Sequence, residues 1–205
     1  SLIESGIVIP STKLGESIYL FKHAMIRDAA YESLLITDRI EFHSRIASWF
    51  ELEESSWRQI LPESIAYHFE LAGKNRLSVK YWLKAGQLSN NQSNYVEALI
   101  HLGNAQRLID NLEKTPTRDR SELDVIIALG VAFAGVGGIS GKTPGKIYDK
   151  AISLCEALDY PAETISVLAG AGSLHFIRAN YNLSLKIAEQ SIELASKIRD
   201  SSGTI

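Results

Sequence analysis

From Asp28 onward the apolar residues recur at steps of three and four, and the period-two alternation of strands is nearly absent. An all-α chain is expected. Ile36, Ile40, His43, Ala47 and Phe50 fall on one stripe of a helix running from about Asp38 to Glu54. Pro62 suits the first turn of the next helix, with Ile65, Ala66, Phe69 and Ala72 turned inward and Gly73 as its stop. Tyr95, Ala98, Leu102, Ala105, Ile109 and Leu112 form the cleanest stripe, opened by Asn94 and Glu97 as a capping pair. A helix from about Thr117 carries Leu123, Ile126, Leu129 and Phe133 into a glycine-rich loop. Thr143 and Pro144 then start a helix with Ile147, Ala151, Leu154 and Leu158 inward. Pro161 opens another, through Ile165, Leu168, Gly172 and His175. The last carries Tyr181, Leu185, Ala188, Ile192 and Ala195, and Ser201 to Ile205 reads as a frayed tail. Only Ile7 to Ile9 and Ile18 to Phe21 are β-prone, which suggests a small hairpin around Pro10 to Ser17 like the wing of a winged-helix unit.

Three helical segments superimpose: Trp82-x-x-Ala85-Gly86, Ile126-x-x-Leu129-Gly130 and Leu168-x-x-Ala171-Gly172. In the first and third, a small residue follows twelve positions after the glycine, Ala98 or Ser184. Small residues at a helix crossing let two backbones approach while Trp82 or Leu168 fills the space beside them. The layout resembles the tetratricopeptide repeat and predicts helical hairpins stacked as a right-handed superhelix. Residues 1–60 would be a winged-helix remnant with linking helices, and 61–205 the repeats.

The string from Tyr19 to Leu35 resembles the junction that follows the nucleotide-binding module in bacterial STAND-type signalling ATPases, as found fused to class III adenylate or guanylate cyclases. The resemblance continues through Arg39, His43 and Ile46, then Ala66 to Phe69, Tyr81 to Gly86, and Tyr148 with Ala151. It implies a parent with an effector, an ATPase, a winged-helix element and helical repeats. On this reading the chain is a non-catalytic protein–protein interaction and sensor module of a bacterial signal-transduction protein. The second reading is the regulatory arm of a DNA-binding transcription regulator, acting through Lys22, Arg27, Arg39 and Arg45.

Composition narrows the partners. Hydrophobic residues make up 45% and charged residues 22% of the 205, an ordinary globular balance. The net charge of -3 is spread without a basic face, which disfavours nucleic acid. The longest apolar stretch, Val125 to Val136, is too short for a bilayer, so no membrane partner is expected. One cysteine, Cys155, fits a buried hydrophobe in a reducing, cytoplasmic setting. A first residue of Ser1 and no visible secretory signal suggest a piece cut from a longer protein.

Candidate chemistry is sparse. Gly137 to Thr143 ends in Gly-Lys-Thr but lacks the first glycine of a phosphate loop, since Val136 holds that place. The histidines show no i, i+4 pair for a metal, and no nucleophile sits in a catalytic spacing, so no catalytic, cofactor or metal residues are assigned. Arg118, Asp119, Arg120 and Glu122 read as a solvated helix start, Trp49 and Trp82 as core, and Trp57 as an open case. If the repeat frame holds, Lys80, Gln87, Asn90 and Asn91, joined by Asp124, Ser166 and Ser173, face a concave groove. There they could grip a protein or peptide, a neighbouring domain of the parent, or another copy of the chain.

Overall fold

The computed structural model describes residues 3–13, 16–53, 61–137, 142–159 and 163–202. Among them two strands, β1 (Val8–Lys13) and β2 (Glu16–Phe21), precede nine helices. The helices are α1 (Ala24–Glu32), α2 (Ile36–Glu53), α3 (Pro62–Leu71), α4 (Asn75–Asn91) and α5 (Tyr95–Ile109), then α6 (Pro116–Gly135), α7 (Lys142–Ala157), α8 (Thr164–Ile177) and α9 (Tyr181–Ser202). Each helix from α2 to α9 packs on its neighbour in sequence wherever a described stretch joins them, and α4 also meets α6. The hairpin is tighter than the β-prone runs suggest: Pro10 pairs with Tyr19 and Lys13 with Glu16, so the strands take in most of the expected loop. Pro10 is tolerated because a two-stranded ribbon leaves each strand one unpaired edge.

Three hairpins, α3–α4, α4–α5 and α8–α9, turn in the same way. The amide of Gly73 donates to Glu70 O and that of Lys74 to Phe69 O; Ser93 and Asn94 repeat this on Asn90 and Ser89, and Ala179 and Asn180 on Phe176 and His175. These are paired 6→1 and 5→2 bonds that satisfy the last carbonyls of a helix. The turn requires a left-handed residue, with φ of 70° at Gly73, 60° at Ser93 and 59° at Ala179. Only glycine adopts that conformation without crowding its own Cβ. Replacing Ala179 with glycine is therefore expected to raise stability by up to ~1 kcal/mol. An unchanged or lower urea midpoint would contradict this.

Repeat glycines sit at helix contacts. A Cβ on Gly86 would lie 2.4 Å from Leu102 Cγ on α5, and one on Gly130 would lie 2.9 Å from the Tyr148 hydroxyl on α7. Gly172 is looser, 3.6 Å from Ile187 on α9. Ser184 Oγ donates to Gly172 O at 2.9 Å, and Ser78 Oγ donates likewise to Ala66 O at 2.8 Å, again twelve residues apart. The largest core runs through α2 to α6 and holds Phe69, Tyr81, Leu102 and Ile109. Trp82 belongs to it, its indole N–H donating to Glu70.

Several expectations are corrected. The helix start at Arg118 to Glu122 is not uniformly solvated, because the Glu122 side chain is 0% and that of Arg118 9% exposed. Trp49 is 46% exposed, although its ring leans on Phe50. On the α2 stripe, His43 and Ala47 are buried but Ile36 and Ile40 are exposed. Asn94 donates to the Glu97 carboxylate and makes no side-chain bond to the backbone, so the expected capping box does not form. Helix α9 extends through Ser202 where a frayed tail was expected to begin. Of its apolar residues, Tyr181, Leu185 and Ile192 are exposed and Ile187 is buried. Trp57, Pro161 and the loop residues 138–141 lie outside the described residues.

Candidate functional site

Four of the seven predicted groove residues come together. Gln87, Asn90 and Asn91 at the end of α4, and Asp124 on α6, line one open depression with Ile127, Ala128, Val131 and Glu163. Its volume is about 320 Å³. Helices α4 and α6 lie side by side here because Asn90 Nδ2 donates to Ala128 O at 2.9 Å. That bond leaves Asn90 Oδ1 buried without a hydrogen-bond partner.

Two of the lining residues, Asp124 and Glu163, belong to a charge arrangement that the sequence pattern does not reveal. Arg120 donates to both Glu163 oxygens, at 3.0 and 2.5 Å, and its Nε lies 3.5 Å from Asp124. The hydrogen bond from Arg120 holds the Glu163 carboxyl below the usual carboxylate range. Burial pushes the Asp124 carboxyl up, against the pull of Arg120. Two carboxylates shared by one guanidinium leave the groove slightly acidic and rich in amide donors and acceptors. Such a lining suits extended main chain better than an anionic group.

The other three residues fall elsewhere. Lys80 lies 3.4 Å from Glu51 and 5.0 Å from the Tyr81 ring centre, which ties α4 to α2. Ser166 is exposed on α8. Ser173 donates to Ala169 O and borders a different groove, between α8 and α9. The arginines of the DNA-binding reading are partly engaged: Arg39 donates to Leu34 O and Glu32 O and covers the Tyr31 ring, while Arg27 pairs with Asp28.

Two polar clusters lie away from the groove. Glu122 of α6 accepts from Gln106 Nε2 of α5 at 3.0 Å, from Arg118, and from the Lys150 ammonium of α7, which joins three helices through one buried carboxylate. At the other end, His43 Nδ1 and His68 Nδ1 are 2.7 Å apart, and the Tyr31 hydroxyl is 2.9 Å from His43 Nε2. Two Nδ1 atoms at that distance share one hydrogen, so at least one of the rings must remain neutral for the bond to persist.

Burial lowers both imidazole pKa values from the ordinary 6.5, and the His43 charge lowers that of His68 further. The unfolded chain then takes up protons that the folded chain refuses. This contribution to stability is complete above about pH 6.5 and is lost as pH falls through the depressed folded values. The thermal midpoint is expected to fall between about pH 7.5 and pH 5, and less steeply in His68→Gln. A parallel slope in the variant would rule the pair out as its source.

Among the described residues no group of three or more His, Cys, Asp or Glu could hold a metal ion. No helix among them is long and apolar enough to cross a membrane. Cys155 is buried, and that burial pushes its thiol pKa up.

The chain is similar to an uncharacterized protein of Rhizobium meliloti (strain 1021), with 25% identity over 154 residues. The match covers 75% of this chain and spans 15% of that relative's length. No protein-family model and no solved structure matches the chain.

Proposed function

We propose that the chain is a non-catalytic protein–protein interaction module, a stack of tetratricopeptide-like hairpins within a larger cytoplasmic signalling ATPase. The groove of Gln87, Asn90, Asn91 and Asp124 carries this reading, because it gathers amides from α4 and a carboxylate from α6 on one open face. Its occupant is an extended peptide or a neighbouring domain, held by main-chain hydrogen bonds. The repeated turn, and glycines where paired helices meet, support the superhelix. The resemblance of Tyr19 to Leu35 to the segment after the ATPase module supports the place in a signalling protein. A parent much longer than this chain agrees with the small share of the relative that it spans. Occupation of the groove changes how the repeats rest on the ATPase and shifts a two-state equilibrium.

The test uses the longer protein with Gln87→Lys and Asn91→Lys, both exposed positions whose replacement spares the core. Nucleotide hydrolysis is expected to change about threefold or more, since differential contacts of ~1 kcal/mol shift populations by that order. Unchanged hydrolysis in a correctly folded variant would reject the sensor reading.

A further inference from the structure

The α4–α5 and α8–α9 hairpins share one turn, so their positions correspond at a constant offset set by Ser93 and Ala179. On α5, Tyr95, Leu99, Leu102, Gln106 and Ile109 share one helix face, which meets α6 through Tyr95 and Gln106 and Gly86 of α4 through Leu102. A Cβ on Gly135 of α6 would lie 2.3 Å from the Tyr95 ring, Gln106 bonds Glu122 of α6, and Leu102 and Ile109 are fully buried. The corresponding residues of α9 are Tyr181, Leu185, Ala188, Ile192 and Ala195. All five are exposed, Leu185 at 61% and Ile192 at 67%. On the partner helix, Phe176 stands where Asn90 bonds the backbone of α6, and it is 63% exposed. Between α8 and α9 lies a groove of about 580 Å³ bordered by Phe176, Ala188 and Ile192.

A surface helix has no physical reason to keep an apolar stripe at this spacing unless something covers it. The α5 stripe has its cover, and the α9 stripe repeats the pattern without one. We infer that the α8–α9 groove is a docking face for one further amphipathic helix, belonging to the longer polypeptide and lying on this hairpin as α6 lies on α4 and α5. The inference rests on the reading of the chain as one segment of a larger protein. The length of the relative beyond the matched stretch provides chain enough for such a helix. Its covering face needs apolar and small residues at i, i+3, i+4 and i+7, with a small residue against Tyr181 as Gly135 sits against Tyr95.

Maleimide labelling of Ile192→Cys tests this, with Lys186→Cys on the far side of α9 as the reference and buried Cys155 as background. In the 205-residue chain both introduced thiols are expected to react at similar rates. In the longer natural protein, Ile192→Cys should slow at least tenfold while Lys186→Cys stays fast. Equal rates in the longer protein would overturn the inference. Concentration-dependent protection of Ile192→Cys in the 205-residue chain would also overturn it, by assigning the face to a second copy. Ile192→Lys keeps the test independent of cysteine chemistry: it should leave the short chain's thermal midpoint unchanged and lower that of the longer protein. Neither readout touches Gln87 or Asn91, so failure here is separable from failure of the peptide groove.

Discussion

Glu122→Ala is expected to destabilise the chain by about 3–5 kcal/mol, the range for removing one partner of a buried ion pair. The carboxylate is 0% exposed and holds Arg118, Lys150 and Gln106 together. Its loss leaves the Arg118 guanidinium, which is itself nearly buried, to Asp119 at 3.0 Å. Arg118 Nε already lacks a hydrogen-bond partner, so the site has little left with which to compensate. The midpoint should drop by roughly 10 °C at this chain length. Glu122→Gln keeps the shape and an acceptor and should cost less. The double change Arg118→Leu with Glu122→Leu removes both charges together and should recover much of the loss, because desolvation of the pair is then avoided. A single-variant loss below ~1 kcal/mol in urea unfolding would show that the carboxylate is solvated and the cluster incidental.

The second large effect belongs to Gly86. Glycine to alanine inside a helix ordinarily gains about 0.5–1 kcal/mol. Here the new methyl would stand 2.4 Å from Leu102 Cγ, and Leu102 has no exposed surface into which it could retreat. Gly86→Ala should therefore be destabilising by about 1–3 kcal/mol, the usual cost of overpacking. Gly103 provides the control on α5: nothing lies within 4 Å of its Cβ position, so Gly103→Ala should show the ordinary helical gain. Leu102→Ala in the Gly86→Ala background should cost less than in the parent chain, since the two changes relieve one another. Additive losses would mean that the helices separate and the contact is not shared.

What the sequence made legible was whatever depends on spacing. Gly86 at a helix contact, Trp82 in the core and the hairpin after Gly73 all follow from period and from the residue types that permit close approach. The charged run at Arg118 to Glu122 was misread because a polar residue on a helix is ordinarily solvated. Burial of Glu122 is decided by Lys150 and Gln106, which lie on other helices. Tyr148 is a similar case. Its ring is seated between Gly130 of α6 and Gly170 of α8, and only the first of those glycines belongs to a repeat signature. The groove was legible in part: Gln87, Asn90, Asn91 and Asp124 meet, whereas Glu163 and Arg120 entered through an ion pair that no periodicity encodes. On α9 the apolar residues were identified correctly, but which of them are covered depends on what lies against the helix, which no single-helix pattern contains.

Because each helix leans chiefly on its neighbours in sequence, few bonds tie remote parts of the chain together. A molecule held this way resembles a stack of tiles more than a vault: loosening one hairpin weakens the next and leaves distant ones standing. Amide exchange should accordingly grade along the chain, slowest around Leu102 and Ile126 and fastest at the uncovered outer helix. Pulling on the two ends would lengthen it in steps, one hairpin at a time, with no single rupture.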